Sequence, residues 1–237
     1  MSNQYFQFKQ FKIEQDKCAM KVSTDACIQG AWTPIYESVK RVLDMGAGTG
    51  LLSLMLAQRA PQIYIDAVEL DEHAAIQATE NIAASPWTER INLAQADIKV
   101  YVAEEKYDLI ICNPPFFKNS LLGDDSKRNV ARHTIALSYE DLLNSCKARL
   151  ATGGSASVLL PYSEYQYWQT LIAQHGWQET AQLMIRPRRD LAVNRVVSVI
   201  QQNGNSAIKT QELTIYEQAG VYTEAFKQLL APFYLHL

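Results

Sequence analysis

Several things are scarce in this chain of 237 residues, and each scarcity removes a class of function. Its four cysteines, Cys18, Cys27, Cys112 and Cys146, lie far apart with no Cys-x-x-Cys pair, so neither a zinc site nor a disulfide framework is indicated. His73, His175 and His236 show no ligand spacing, and no metal is expected. No apolar run approaches the roughly 20 residues of a membrane helix. The first residues, MSNQYFQFKQ, lack the basic flank and apolar stretch of a secretory signal. A soluble, cytoplasmic protein is the expectation. Positive charge is not in excess either: the net charge of −3 argues against coating nucleic acid through charge alone, although a local basic face remains compatible with it. Repeats and low-complexity segments are absent. Apolar residues, at 48%, suffice for one substantial core, so a single domain over 1–237 is expected.

From Val42 onward, apolar runs alternate with amphipathic stretches, which predicts an α/β fold with a mostly parallel sheet and helices on both faces. Strands are expected at 41–45, 63–69, 91–94, 107–112 and 155–160. Ser138 with Asp141 predicts a capped helix stopped by Gly153-Gly154. Ser163 with Gln166 opens another, closed near Gly176. The runs 177–185 and 192–200 are expected to pair antiparallel through a turn at 186–191, and 222–235 reads as a final amphipathic stretch. Before residue 41, the alternation in Tyr5-Phe6-Gln7-Phe8-Lys9 predicts a short hairpin, followed by a cap over a cofactor.

The first strand runs into Gly46-Ala47-Gly48-Thr49-Gly50, where missing side chains let the backbone approach a ligand. The dinucleotide fingerprint G-x-G-x-x-G has Leu51 in place of its third glycine here, which disfavours a dehydrogenase. Asp44-x-Gly46-x-Gly48-x-Gly50 instead resembles the first motif of class I methyltransferases, whose glycines fit the methionine and ribose of S-adenosylmethionine. The resemblance implies a Rossmann-like, seven-stranded sheet with an antiparallel last strand. Glu69 ends the second strand about 20 residues later, where a carboxylate can accept from both ribose hydroxyls. By the same resemblance Asp97 faces the cofactor's adenine amine.

Asn113-Pro114-Pro115-Phe116 follows a strand on the same edge as the glycine turn, and two prolines force the chain out of the sheet. The tetrapeptide resembles the motif of amino-methyltransferases. An exocyclic amine on a heteroaromatic ring is a poor nucleophile, because its lone pair is delocalised. The side-chain carbonyl of Asn113 and the backbone carbonyl of Pro114 can each accept one amine hydrogen and steer that lone pair toward a sulfonium methyl. The prolines, Pro114 and Pro115, rigidify the acceptors. Phe116 offers a face on which a base can stack, worth about 1–3 kcal/mol. The tetrapeptide does not choose among adenine in DNA, guanine in rRNA, a release-factor glutamine or adenine in tRNA. Only about 40 residues precede the glycine strand, which disfavours enzymes with an added recognition or helical domain.

The block Met20-Lys21-Val22-Ser23-Thr24-Asp25-Ala26, then Gly30-Ala31-Trp32, resembles a small bacterial family of tRNA adenine-N6 methyltransferases acting on valine tRNA beside the anticodon. The resemblance extends through the glycine turn, residues 113–116, Ala131-Arg132-His133 and Tyr222-Thr223-Glu224. It implies a tRNA partner, with Lys21, Thr24 and Asp25 closing over the methionine end of the cofactor. Ser23 departs from the glycine usual in that family. Two basic segments are expected to grip RNA: Lys118, Lys127, Arg128, Arg132 and His133 in the aperiodic stretch 117–136, and Arg186, Arg188 and Arg189 at the expected hairpin turn. A guanine-amine rRNA methyltransferase and a non-catalytic RNA-binding protein retaining S-adenosylmethionine are the alternatives. A monomer is expected.

Overall fold

The computed structural model describes residues 4–114, 137–202 and 207–237. A short antiparallel hairpin, β1 (Tyr5–Gln7) and β2 (Lys12–Glu14), opens the chain and is followed by α1 (Thr24–Trp32). Ser23 caps α1: its extended backbone lets the side chain accept from the Ala26 amide at 3.2 Å, which gives the departure from glycine a physical use.

The remaining elements are β3 (Arg41–Met45), α2 (Leu51–Arg59), β4 (Tyr64–Glu69), α3 (Glu72–Ala83), β5 (Ile91–Gln95), β6 (Tyr107–Cys112), α4 (Tyr139–Arg149), β7 (Leu150–Pro161), α5 (Tyr162–Gln174), β8 (Trp177–Arg188), β9 (Arg195–Gln202), β10 (Lys209–Gln218), β11 (Val221–Tyr222) and α6 (Glu224–Leu230). One sheet has the order β11-β10-β8-β9-β7-β6-β3-β4-β5. Strands β3 to β7 are mutually parallel, β9 is antiparallel to both β7 and β8, and β10 is parallel to β8. The carboxyl ends of β3 to β8 therefore share one edge with the start of β9.

Several expectations need correction. The sheet has nine strands among the described residues, not seven: β10 and β11 extend it beyond β8, because 209–218 alternates only weakly and reads as polar until its Leu213 and Ile215 meet the core. The final stretch divides into β11 and the short α6. Gly153-Gly154 does not stop α4, which ends at Arg149. These glycines lie inside β7, where Gly153 has φ +81° and the register against β6 shifts. Helix α5 starts one residue before Ser163, after Pro161, with no side-chain cap. Arg186 and Arg188 belong to β8 rather than to the turn. The Ser138–Asp141 capping box is present as expected.

Each face of the sheet carries a core, because successive strand residues point opposite ways. Val42 joins Leu54, Leu56, Ile28 and Phe226 on one side, while Leu43 and Met45 join Tyr107, Leu142 and Trp168 on the other. No helix among the described residues is long and apolar enough to cross a membrane.

Candidate active site

The glycine turn is held from below. Gly46 and Ala47 donate to the Val68 carbonyl at the end of β4, at 2.9 and 3.1 Å. Gly46, Gly48 and Gly50 have φ of +77°, +58° and +80°, the left-handed region in which L side chains are strained. A Cβ on Gly46 or Gly48 would meet no atom within 4 Å, so the turn borders open space that a ligand can fill. A Cβ on Gly50 would lie 3.5 Å from that of Ala78, which places this glycine against α3.

Glu69 closes onto the turn. Its Oε2 accepts from the Gly48 amide at 2.8 Å and its Oε1 from the Asp71 amide at 2.9 Å, leaving lone pairs for further donors. Asp97 follows β5 in a segment tied back by the bond from the Ala96 amide to the Glu69 carbonyl, at 2.9 Å. Its Oδ1 accepts from the Lys99 amide at 2.9 Å. Both acids thus sit at neighbouring strand ends beside the turn.

Asp44 is fully buried under the turn. Its Oδ2 accepts from the Ser53 amide and hydroxyl, which anchors the start of α2. Its Oδ1 is buried with no partner among the described residues. Burial pushes this carboxyl up to about 6 against the pull of the Ser53 bonds, with Glu69 adding to the rise.

The register pairs Met45 with Cys112, so Gly46 and Asn113 leave adjacent parallel strands side by side. Asn113 is half-buried, and its Oδ1 is buried without a partner among the described residues. Two unpartnered acceptors beside an open glycine turn fit a cationic cofactor and an amine-bearing substrate. Pro114 is buried; Pro115, Phe116, Lys118, Lys127, Arg128, Arg132 and His133 lie outside the described residues.

Helix α1 approaches the same edge. Asp25 makes an ion pair with Arg195 at 3.0 Å, and burial still raises its carboxyl against that cation. Thr24 lies beside the Tyr234 hydroxyl, and Lys21 is exposed. The first turn of α1 is therefore tied to β9 and to the tail. Arg186, Arg188 and Arg189 also reach this edge, paired with Glu212 at 3.8 Å, with Asp190, and with Glu217 at 2.8 Å. These acids offset much of the positive charge expected there. Ser53 and Arg195 escaped the sequence reading, since nothing in their spacing pairs them with Asp44 or Asp25.

Residues 33–176 match the Methyltransferase small domain family. A tRNA1(Val) (adenine(37)-N6)-methyltransferase of Dyadobacter fermentans is 42% identical over 98% of each chain, and one of Bacteroides thetaiotaomicron is 40% identical over 100% of each. The chain belongs to the tRNA1(Val) (adenine(37)-N6)-methyltransferase family. Both likenesses span nearly the full length of each chain. Among solved structures, a predicted O-methyltransferase of Agrobacterium tumefaciens superposes with a TM-score of 0.67 at 17% identity, covering 88% of this chain and 96% of its own. The glycopeptide N-methyltransferase MtfA, complexed with S-adenosylmethionine, gives 0.55 at 13% identity, covering 78% and 96%. At such identities these likenesses establish the class I methyltransferase fold alone.

Proposed function

We propose that this protein methylates the N6 amine of adenine-37 in tRNA1(Val), using S-adenosylmethionine. The observation that carries the reading is the emergence of Asn113-Pro114 directly beside the open glycine turn, with the Asn113 acceptor buried and unpartnered among the described residues. The full-length likeness to enzymes named for this reaction supports the choice of amine and of tRNA.

In this reading Glu69 accepts from the ribose hydroxyls, Asp97 from the adenine amine, and Gly46 and Gly48 leave room for the methionine portion. Gly50 shapes the turn. Lys21, Thr24 and Asp25 cover the methionine end from α1. Bound S-adenosylmethionine supplies an electrophilic methyl on a cationic sulfur, and the buried acceptor of Asp44 favours positive charge above it. Asn113 Oδ1 and the Pro114 carbonyl accept the two hydrogens of the target amine, turning its lone pair out of conjugation with the ring. Pro115 stiffens this segment and Phe116 stacks on the base. The amine's proton leaves after transfer, when its acidity is greatest, so no dedicated base is required. Lys118, Lys127, Arg128, Arg132, His133, Arg186, Arg188 and Arg189 contact the RNA around the target. In this reading the protein works in the cytoplasm, where its tRNA substrate is modified, and acts as a monomer.

The test is incubation of the purified protein with labelled S-adenosylmethionine and unmodified tRNA1(Val), followed by ribonuclease fragment mapping to locate the label, and by nucleoside digestion and mass spectrometry to identify the base. N6-methyladenosine at position 37 of tRNA1(Val) is the expected product. A methylguanosine, or no product under conditions where the cofactor binds, overturns the reading.

A further inference from the structure

Helix α1 carries a glutamine where its neighbours are apolar. Gln29 lies among Ala26, Cys27, Ile28, Gly30 and Ala31, all buried, and is itself fully buried. Burying an amide costs free energy unless its hydrogens find acceptors, and an aliphatic side chain of similar volume avoids that cost. Gln29 meets the cost on its nitrogen side alone, its Oε1 being buried with no partner among the described residues. Its Nε2 donates to the Cys112 carbonyl at 3.0 Å and to the Ser157 carbonyl at 3.2 Å. Both partners only accept, so the nitrogen must face them and the orientation of the amide is determined.

Cys112 is the last residue of β6, and its carbonyl belongs to the peptide whose nitrogen is that of Asn113. Ser157 lies on the neighbouring strand β7. The glutamine amide thus spans two adjacent strands just where the chain leaves the sheet and ladder bonding ends. The support behind it is stiff. The Thr33 and Ser157 hydroxyls, both fully buried, lie 2.8 Å apart, and Arg59 donates to the Gly30 and Thr33 carbonyls at 2.8 and 2.9 Å, pinning the end of α1.

We propose that Gln29 is a positioning residue for methyl transfer. By holding the Cys112 carbonyl it fixes the plane of the 112–113 peptide, and with it the direction in which Asn113 presents Oδ1 to the target amine. The inference rests on the reading of Asn113 as the amine's acceptor. It also makes α1, whose first turn covers the cofactor in that reading, one rigid piece with the catalytic strand end. A small rotation of this peptide swings the Asn113 acceptor away from the amine without disturbing the glycine turn, so the loss falls on turnover rather than on cofactor binding.

The experiment is a double-mutant cycle on the full chain with unmodified tRNA1(Val) transcript, using Gln29→Met, Asn113→Ala and the double variant. Cofactor affinity is followed by calorimetry. Gln29→Met should lower kcat about tenfold or more while cofactor affinity and the KM for tRNA stay within about twofold. The double variant should be no slower than Asn113→Ala alone, because the glutamine acts only through that side chain. Gln29→Leu, which removes the same hydrogens with a different shape, should repeat the result. Multiplicative losses in the double variant, parallel loss of cofactor affinity and turnover, or an unchanged kcat in either Gln29 variant would overturn the proposal. If Asn113→Ala itself keeps full turnover, the acceptor reading fails, and the inference falls with it. If Asn113→Ala is inactive while Gln29→Met is not, the inference alone fails.

Discussion

Ser53 donates twice to Asp44, from its backbone amide at 3.0 Å and from its hydroxyl at 2.7 Å, both to the same oxygen, Oδ2. The acid of β3 and the helix after the glycine turn are thereby one unit, and the second carboxylate oxygen stays free of partners among the described residues. This asymmetry has consequences for pH.

Burial lifts Asp44 from its ordinary 3.8 to about 6. A carboxyl raised in the fold contributes stability that is fully present below the unfolded value and is lost as pH rises through the folded one. The cofactor-free protein should accordingly give up about 3 kcal/mol from this group between pH 4 and pH 6. Thermal melts of the wild type and of Asp44→Asn across that window check it, the difference between the two shrinking toward acid pH. A bound cation pulls the same carboxyl down again, so S-adenosylmethionine affinity should rise with pH through about 6 in the wild type. In Asp44→Asn it should be weaker and flat. A wild-type affinity independent of pH between 5 and 7 contradicts the role given to Oδ1.

Asn113→Ala removes an acceptor proposed to act on the amine as it attacks. Turnover should fall about a hundredfold or more with cofactor affinity nearly unchanged, whereas Glu69→Gln should chiefly weaken cofactor binding. Single-turnover kinetics alongside calorimetry separates the two effects. Equal turnover in Asn113→Ala and wild type contradicts the paired-acceptor mechanism.

Each described arginine of the 186–189 cluster has an acidic partner, which limits the charge it offers to phosphate. Replacing Arg186, Arg188 and Arg189 by alanine should reduce tRNA affinity and lower the slope of log affinity against log salt by about 1 to 2, less than three free cations would give. Glu217→Gln should act the opposite way, strengthening binding through Arg189. Filter binding at several salt concentrations reads both, and an unchanged slope in the triple variant removes this patch from the RNA interface.

Phe8 is fully buried, stacks on Phe11 with ring centroids 4.4 Å apart, and bridges to Tyr234 near the end of the chain. Phe8→Ala should cost about 3–5 kcal/mol by leaving a cavity between the two ends of the protein. Urea denaturation measures the loss. Because the hairpin leads into α1, hydrogen exchange should also quicken at α1 before the sheet opens.

Local signals were legible wherever the physics is local. Glycines at 46, 48 and 50 can adopt positive φ that other residues resist, and prolines at 114 and 115 cannot continue a ladder, so the turn and the exit from β6 were readable without a structure. The Ser138–Asp141 box was readable for the same reason, since both members lie within one helical turn. The glycines at 153 and 154 misled because the same residue type that ends a helix also permits a strand bulge, and only the pairing of β7 with β6 distinguishes them. Strand β10 was missed because its exposed first half masks the two residues that bury.

The sequence by itself determined the α/β class, the order of the elements around the glycine turn, and the family, because periodicity, glycine and proline punctuation and motif residues act over a few positions. The tertiary structure alone decided which groups meet around the sheet edge: Asp44 with Ser53, Asp25 with Arg195, Arg186 with Glu212, Arg189 with Glu217, and Gln29 with the carbonyl before Asn113. Such contacts join segments separated by up to 170 residues. Their energy depends on burial and on the distance between groups, and both come into being only when parallel strands bring their carboxyl ends to one edge.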